Sequence, residues 1–216
     1  MTTTVMTPSE YARDRGITEV LHFTTNRGLL GILSTGEVFS RKALEAAGKL
    51  EPIRLLNCRD RSKDAAWIDW VNLSISQVNK WMLNRSRSWH QDEDGVWWAV
   101  LAFDVAILDH TDVWFTTTNN TYPVVRRGQG VEGLADMFTD PMPWGWYGYR
   151  KNRRHRAANQ PTCEQAEVLY PKTLSLEALT AIYVAEPEHI DEIAGWVCAF
   201  LDAPTVPVTC NPAVFA

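Results

Sequence analysis

The chain has 216 residues, 45% of them hydrophobic, which is enough for one sizeable core and short for two, so residues 1–216 are predicted to form a single domain. The formal net charge of −5 excludes a protein that is basic throughout, so any nucleic-acid-binding patch has to be local. The four cysteines form no C-x-x-C pair, which argues against a zinc site and a disulfide framework. No apolar run approaches the ~18 residues of a membrane helix, so a cytoplasmic protein is expected.

The first elements form a strand–helix unit. A short helix from Pro8 to Gly16 leads into a buried strand over residues 18–23, and His22 lies near the end of that strand. Asn26 is a suitable N-cap for the following helix, and Gly36 can close that helix in a left-handed conformation. Its apolar face consists of Leu29, Leu30, Ile32 and Leu33.

Two glycines lie inside this short helix, at Gly28 and Gly31. Glycine inside a helix costs up to ~1 kcal/mol relative to alanine. Each glycine therefore indicates a close backbone approach, either to a neighbouring element or to a ligand.

The rest of the chain alternates strands and helices without a regular βαβ pattern. Further helices are predicted at residues 41–48, 77–85, 130–138 and 188–201, with polar loops at 57–64 and 86–95. Further strands are predicted at residues 38–39, 71–76, 96–103, 113–117, 165–171, 178–184 and 206–208. Because the strands and helices do not alternate regularly, an α+β fold is predicted. No G-x-G-x-x-G motif follows a strand, so a Rossmann-type dinucleotide site is not expected.

Residues 140–162 are the least regular stretch, because prolines and glycines interrupt any element there. The stretch combines aromatic and cationic side chains, which are Trp144, Trp146, Tyr147, Tyr149, Arg150, Lys151, Arg153, Arg154, His155 and Arg156. Aromatic rings can stack on bases while cations hold phosphates, so this loop is interpreted as a platform for single-stranded nucleic acid. The alternative is a solvated surface with scattered aromatic residues.

The strand after this loop begins Gln165-Ala166-Glu167 and carries one carboxylate among apolar residues. A buried carboxylate without a partner is costly, so Glu167 either points into a cleft that uses its charge or lies at an exposed edge. From the residues alone, the exposed edge is the simpler of the two alternatives.

Several short motifs resemble the DarT family of NAD-dependent DNA ADP-ribosyltransferases. They are His22-Phe23-Thr24, the G-I-L run at 31–33 with Gly36, Arg59-Asp60-Arg61, the polar segment at 116–120 and the Q-A-E-x-L strand at 165–169. The resemblance covers residues 17 to about 184 in family order. Residues 63–91 depart from it, because an H-D-Y-V-P-F-Y-F run of many members is replaced by Val71-Asn72-Leu73-Ser74-Ile75.

The resemblance implies an ADP-ribosyltransferase-like fold with a split mixed or antiparallel sheet flanked by helices. It implies that the chain transfers ADP-ribose from NAD+ to a base in single-stranded DNA and releases nicotinamide, without a metal. Glu167 would be catalytic, Arg59 would be catalytic and bind NAD+, and NAD+ would also contact His22, Phe23, Thr24, Gly31 and Phe39. DNA would bind the aromatic and cationic side chains of residues 144–156.

The resemblance also implies a biological setting and leaves two alternatives open. DarT-like enzymes act as toxins or phage-defence effectors paired with a macrodomain-type antitoxin, and we expect a monomer that does not bind membranes. One alternative is an RNA ADP-ribosyltransferase of the same fold, because base stacking does not distinguish the two nucleic acids. The other is a nucleic-acid-binding module without catalytic activity.

Overall fold

The computed structural model describes residues 6–48, 62–200 and 204–216. Its helices are α1 (Pro8–Asp14), α2 (Asn26–Thr35), α3 (Arg41–Ala46), α4 (Lys80–Trp89), α5 (Gly130–Asp136) and α6 (Glu188–Ala199). Its strands are β1 (Val20–Thr25), β2 (Glu37–Phe39), β3 (Trp70–Ile75), β4 (Trp98–Phe103), β5 (Trp114–Thr116), β6 (Arg127–Gly128), β7 (Met142–Pro143), β8 (Arg150–Lys151), β9 (Glu167–Pro171), β10 (Thr173–Ser175), β11 (Leu179–Val184) and β12 (Val208–Cys210). Short 3-10 helices include Ser62–Trp67.

An eight-stranded mixed sheet organises the molecule, in the order β12-β11-β4-β1-β3-β9-β5-β6. Neighbouring strands are antiparallel except β11 and β12, which are parallel. Two small ladders accompany it, one between β2 and β10 and one between β7 and β8. The predicted α+β fold with a mixed sheet and flanking helices is therefore confirmed.

The sheet is split between β1 and β3. These strands pair only at Val20↔Ile75 and Leu21↔Ser74, whereas β1 pairs with β4 along its whole length. Past Leu21, the His22 ring reaches across the gap, and its Nδ1 lies 3.1 Å from the carbonyl oxygen of Asn72. The split therefore separates two half-sheets, and His22 lies beside it.

The two faces of the sheet have separate apolar clusters. The larger cluster joins alternate residues of the strands to buried side chains of α1, α2, α5 and α6, including Ala12, Leu29, Leu134 and Ile193. The smaller cluster, on the opposite face, joins Leu21 and Val100 to Leu83 of α4 and Phe215. Burying one such leucine stabilises the fold by about 1.5–3 kcal/mol, so the amphipathic helices are held by their apolar faces.

The start of α2 shows how the predicted strand–helix unit is built. Thr25, rather than the predicted Asn26, is the N-cap, and its Oγ1 accepts a hydrogen bond from the Gly28 N–H at 3.1 Å. A Cβ on Gly28 would lie 2.2 Å from Thr24 Oγ1, so this glycine permits the close approach of α2 to β1. Gly36 has a φ of 72° and closes the helix as predicted.

Other boundaries differ from the prediction. Helix α4 continues to Trp89 through a segment predicted as loop, because Leu83 and Ser86 are buried on one side and hold its second half against the sheet. The loop at 140–162 contains the β7–β8 hairpin, and β6 and β10 were not predicted because each is two or three residues long. Within the described residues, no helix is long and apolar enough to cross a membrane.

Candidate active site

Glu167 is the first residue of β9 and is partly buried. Its Oε1 accepts a hydrogen bond from Asn72 Nδ2 at 3.2 Å, and its Oε2 accepts one from the backbone N–H of Asn120 at 3.0 Å. Two donors from different parts of the chain fix the direction of the carboxylate. Glu167 therefore does not lie at an exposed edge, which was one of the two alternatives that the residues left open.

The turn after β5 positions Asn120. Thr116 pairs with Glu167 in the β5–β9 register, and its hydroxyl accepts the Glu167 N–H at 3.0 Å and donates to the Thr118 carbonyl at 2.8 Å. Asn119 Oδ1 accepts the Thr121 N–H at 2.9 Å, which is a typical local turn for asparagine. The polar segment at 116–120 thus becomes the turn that presents a backbone donor to Glu167.

Arg127 on β6 supports the same turn. Its Nε donates to Asn120 Oδ1 at 2.6 Å and its Nη2 to the Asn120 carbonyl at 2.7 Å. Burial lowers the pKa of Arg127, and the negative charge of Glu167 partly counteracts that shift. Helix α5 approaches β6 closely because a Cβ on Gly133 would lie 2.3 Å from the carbonyl carbon of Gly128.

An aromatic cluster lines the same face of the sheet. The Trp67 ring centroid lies 4.9 Å from that of Trp70 and 5.8 Å from that of Trp114, and the Arg127 guanidinium lies 5.2 Å from the Trp67 ring. Cross-strand partners share a face, and Trp114 pairs with Leu169, two residues after Glu167. The cluster therefore forms an apolar wall beside the carboxylate.

His22 lies at the split. Burial lowers the pKa of His22 from 6.5 to about 4, so the ring is neutral at neutral pH. A carbonyl oxygen only accepts, so Nδ1 carries the proton and donates to Asn72, and Nε2 is the acceptor nitrogen. Asn72 thus contacts both His22, through its carbonyl, and Glu167, through its side chain.

The other residues predicted to bind NAD+ are distributed around the split. Thr24 is 4% exposed and lies under α2, whereas the Phe23 ring faces the opposite side of β1, with its centroid 5.8 Å from that of Trp98. Gly31 is partly buried in α2, and Phe39 is partly buried on β2. Arg59 lies outside the described residues, three positions before Ser62.

The tip of the 140–162 loop presents aromatic rings to solvent. Trp146, Tyr147 and Tyr149 are 69%, 79% and 65% exposed, respectively. Trp144 is partly buried, and its ring contacts Tyr122 and lies 5.2 Å from Lys151 Nζ. The predicted aromatic platform is therefore accessible except at Trp144.

The cations of this loop divide into two groups. Arg150 and Arg154 are exposed, whereas Lys151 forms an ion pair with Glu164. Arg153 Nη1 donates to the Gln160 carbonyl at 2.9 Å, Arg156 Nε donates to the Pro161 carbonyl at 2.8 Å, and burial lowers the pKa of both. Lys151, Arg153 and Arg156 therefore organise the loop itself, in contrast to Arg150 and Arg154.

Three residues of this site, Asn72, Asn120 and Arg127, were not predicted from the sequence. Asn72 is a polar residue in a predicted strand, and Asn120 ends the polar segment at 116–120, so each carried a weak signal. Arg127 carried none, because its role depends on the pairing of β5 with β6.

Comparisons with known proteins identify the family and the fold. The family model described as "ssDNA thymidine ADP-ribosyltransferase, DarT" matches residues 21–215. The solved structure of Thermus sp. 2.9 DarT in complex with NAD+ is 16% identical, with a TM-score of 0.61, and the match covers 92% of this chain and 98% of that one. No curated protein matches the chain at a significant level.

Two further solved structures share the fold. Thermus sp. 2.9 DarT in complex with ADP-ribosylated ssDNA is 15% identical, with a TM-score of 0.62, and the match covers 93% of this chain and 97% of that one. Thermosipho africanus DarTG in complex with ADP-ribose is 14% identical, with a TM-score of 0.57, and the match covers 92% of this chain and 51% of that one. This chain belongs to the DarT family and is an NAD+-dependent ADP-ribosyltransferase that acts on single-stranded DNA.

Proposed function

We propose that the chain modifies thymidine and that Glu167 is its catalytic carboxylate. The observation that carries the second part is the pair of hydrogen bonds from Asn72 and Asn120, which hold one carboxylate at the split of the sheet. The description of the matched family supports thymidine as the target. Residues 1–216 would then form one catalytic domain.

The reaction breaks the bond between nicotinamide and the C1 atom of the ribose, and nicotinamide leaves with the bonding electrons. Positive charge develops on the sugar, and a carboxylate already aimed at that position stabilises this charge without reorganisation. Glu167 fulfils this requirement because its direction is fixed before substrate binds. Neutral His22, whose ring contacts the Asn72 carbonyl, offers an acceptor nitrogen, which suits hydrogen bonding to NAD+ rather than repulsion of the developing cation.

The attacking atom in thymidine is N3, because N1 bears the deoxyribose and N3 is the ring nitrogen that can lose a proton. Two amide atoms near Glu167 suit a pyrimidine edge. Asn120 Nδ2, a donor, and Gln165 Oε1, an acceptor, are buried without hydrogen-bond partners among the described residues. Asn120 Nδ2 can donate to a carbonyl oxygen of thymine, and Gln165 Oε1 can accept from its N3–H group.

The resemblance assigns two roles to Arg59, which lies outside the described residues. As a cation it would anchor the pyrophosphate of NAD+. Removal of the N3 proton is a more demanding role, because an arginine with a pKa above ~12 is a poor base unless its surroundings lower that pKa. NAD+ contacts at Phe23, Thr24, Gly31 and Phe39 likewise rest on the resemblance.

DNA would reach the site along the 140–162 loop. The three exposed rings at its tip can stack on successive bases, and Arg150 and Arg154 can hold phosphates because no folding contact uses their charge in the described part of the chain. The side chains that contact other parts of the loop would hold this surface in place, and they are Trp144, Lys151, Arg153 and Arg156.

Mass spectrometry of the products tests the proposal. Single-stranded DNA oligonucleotides that differ at one position, with thymine, cytosine, adenine or guanine there, are incubated with the protein and NAD+. The same sequences are tested as RNA, with uracil in place of thymine. We expect one added ADP-ribose, and released nicotinamide, with thymidine-containing DNA alone. Modification of another base or of RNA would contradict the target, and normal transfer by Glu167→Gln would contradict the residue assignment.

We further propose that the chain is a cytoplasmic, monomeric toxin restrained by a macrodomain-type antitoxin. The similarity to a DarTG structure supports such a partner. Expression of the wild-type chain alone should stop growth and induce a DNA-damage response, whereas Glu167→Gln should be tolerated at equal expression. Growth arrest by both forms would contradict a toxic effect through catalysis.

A further inference from the structure

Helix α4 presents a second surface that combines an aromatic ring with positive charge. An open depression of about 470 Å³ is lined by residues at helical spacing, which are Trp81, Asn84, Arg85 and Ser88. The Trp81 side chain is 55% exposed. On the opposite side of the helix, Leu83 is fully buried. The helix is therefore amphipathic, with an outer face that no described element covers.

The charge of this helix is one-sided in an acidic protein. Its sequence, KWMLNRSRSW, contains Lys80, Arg85 and Arg87 and no acidic residue. Arg87 lies beside the Phe215 ring, at 5.8 Å, whereas Lys80 and Arg85 are exposed. Asp92 and Asp94 follow the helix, which limits the cationic surface to its first two turns.

The position of α4 relates this surface to the active site. Leu83 packs in the same cluster as Leu21, whose cross-strand partner is Ser74. Ser74 shares a face of β3 with Asn72, and the Asn79 N–H at the start of α4 donates to Ser74 Oγ at 3.3 Å. Helix α4 therefore lies on the face of the sheet that carries Glu167.

A direct contact also joins the segment before α4 to the 140–162 loop. Arg156 Nη1 donates to Gln77 Oε1 at 3.4 Å, three residues before α4 begins. The 140–162 loop therefore contacts the segment that leads into α4.

We propose that the α4 surface, formed by Lys80, Trp81, Asn84, Arg85 and Ser88, binds nucleotides of the single-stranded DNA substrate that flank the modified base. Trp81 stacks on one flanking base, and Lys80 and Arg85 hold neighbouring phosphates. The Arg85 guanidinium lies 5.4 Å from the Trp89 ring, so aromatic and cationic groups alternate along this face. A single strand of nucleic acid matches that alternation, because its bases stack on rings while its phosphates meet cations. The inference rests on the proposed action on thymidine in DNA and extends it to the length of strand that the enzyme recognises.

The test compares short and long substrates. Binding and transfer are measured with single-stranded DNA of about 4 and about 16 nucleotides, each with one central thymidine. Wild type should bind the longer strand more tightly. The Trp81→Ala/Arg85→Ala variant should lose about tenfold or more in affinity for the longer strand, and the salt slope should fall by roughly 0.7 for the lost phosphate contact.

The short substrate and two variants serve as controls. Affinity and transfer with about 4 nucleotides should stay within about twofold in the double variant. Trp81→Phe should retain most of the length dependence because it keeps a ring. Arg13→Ala on α1, which also removes one exposed arginine, should match wild type in DNA binding. Melting temperatures should stay close among all variants, because Trp81 and Arg85 are exposed and the Arg13–Asp104 ion pair is a surface pair.

Other outcomes separate the two levels of the proposal. If the double variant binds the long strand as wild type does, α4 does not contact DNA and its face serves another partner, such as a protein. If wild type modifies no thymidine in either strand, the proposed function fails, while the binding measurements still decide the role of α4.

Discussion

The site around Glu167 and the tip of the 140–162 loop hold their functional groups in opposite ways. At Glu167, each carboxylate oxygen has a defined donor, and the donors come from β3 and from the turn after β5. At the tip, Trp146, Tyr147 and Tyr149 stand in solvent, 65–79% exposed. The difference follows from what each region has to recognise.

A developing positive charge has one position, so the group that stabilises it gains from being fixed before the reaction. A base has two faces on which any aromatic ring can stack, so stacking tolerates variation in position and sequence. We therefore expect changes at the Glu167 site to reduce rate strongly and changes at the loop to alter affinity moderately.

The largest effect is expected for Glu167→Gln. The substitution removes the negative charge and replaces one acceptor with a donor, which would face either Asn72 Nδ2 or the Asn120 N–H. Transfer should fall by on the order of 10² or more, while NAD+ and DNA bind within a few-fold of wild type. Nicotinamide release and modified oligonucleotide are measured, with a melting curve to verify folding. Near-normal transfer would show that Glu167 is not the catalytic carboxylate.

Asn72→Asp tests whether the direction of the carboxylate matters. It places a second carboxylate about where a donor now lies, 3.2 Å from Glu167 Oε1, so the two negative charges repel. Transfer at neutral pH should fall by about tenfold or more and recover partly at lower pH, as the pair takes up a proton. Asn211→Asp, next to β12 at the far edge of the sheet, is the matched control. A pH–rate profile that is unchanged from wild type would contradict this role.

His22 gives the fixed site a pH-dependent stability. The folded pKa of about 4 lies below the ordinary 6.5, so the unfolded chain binds the proton first as pH falls. The His22 contribution to the free energy of unfolding is therefore complete well above pH 6.5 and decreases by about 3 kcal/mol as the pH falls to 4. Urea unfolding of wild type and His22→Gln should converge as pH is lowered. Parallel stability curves would show that His22 titrates normally.

The smallest effects are expected within the loop, where the two groups of arginines should separate. Arg150→Ala/Arg154→Ala should weaken DNA binding a few-fold and lower the salt slope by roughly 0.7 per lost contact, without changing the melting temperature. Arg153→Ala removes hydrogen bonds to the Gln160 and Ala157 carbonyls and should reduce stability by about 1–3 kcal/mol. An unchanged salt slope in the double variant would mean that the exposed charges only face water.

The sequence predicted the elements whose signals are local. The strand that carries His22, the helix closed by Gly36 and the strand that begins at Glu167 were all located correctly, because periodicity, capping residues and glycine conformations depend on a few neighbouring residues. The local signal failed for α4 beyond Arg85, where burial of Ser86 against the sheet extends the helix through a polar segment.

Which side chains meet depends on contacts between distant parts of the chain. Local sequence is sufficient to predict a carboxylate on a strand, a histidine at a strand end and a basic aromatic loop. The long-range order of β1, β3, β9 and β5 brings Asn72 between His22 and Glu167 and brings Asn120 to the second carboxylate oxygen. The structure also divided the loop arginines into those that hold carbonyls and those that face solvent. Pairing of strands far apart in sequence is set by burial of whole faces, which no short segment of the chain encodes.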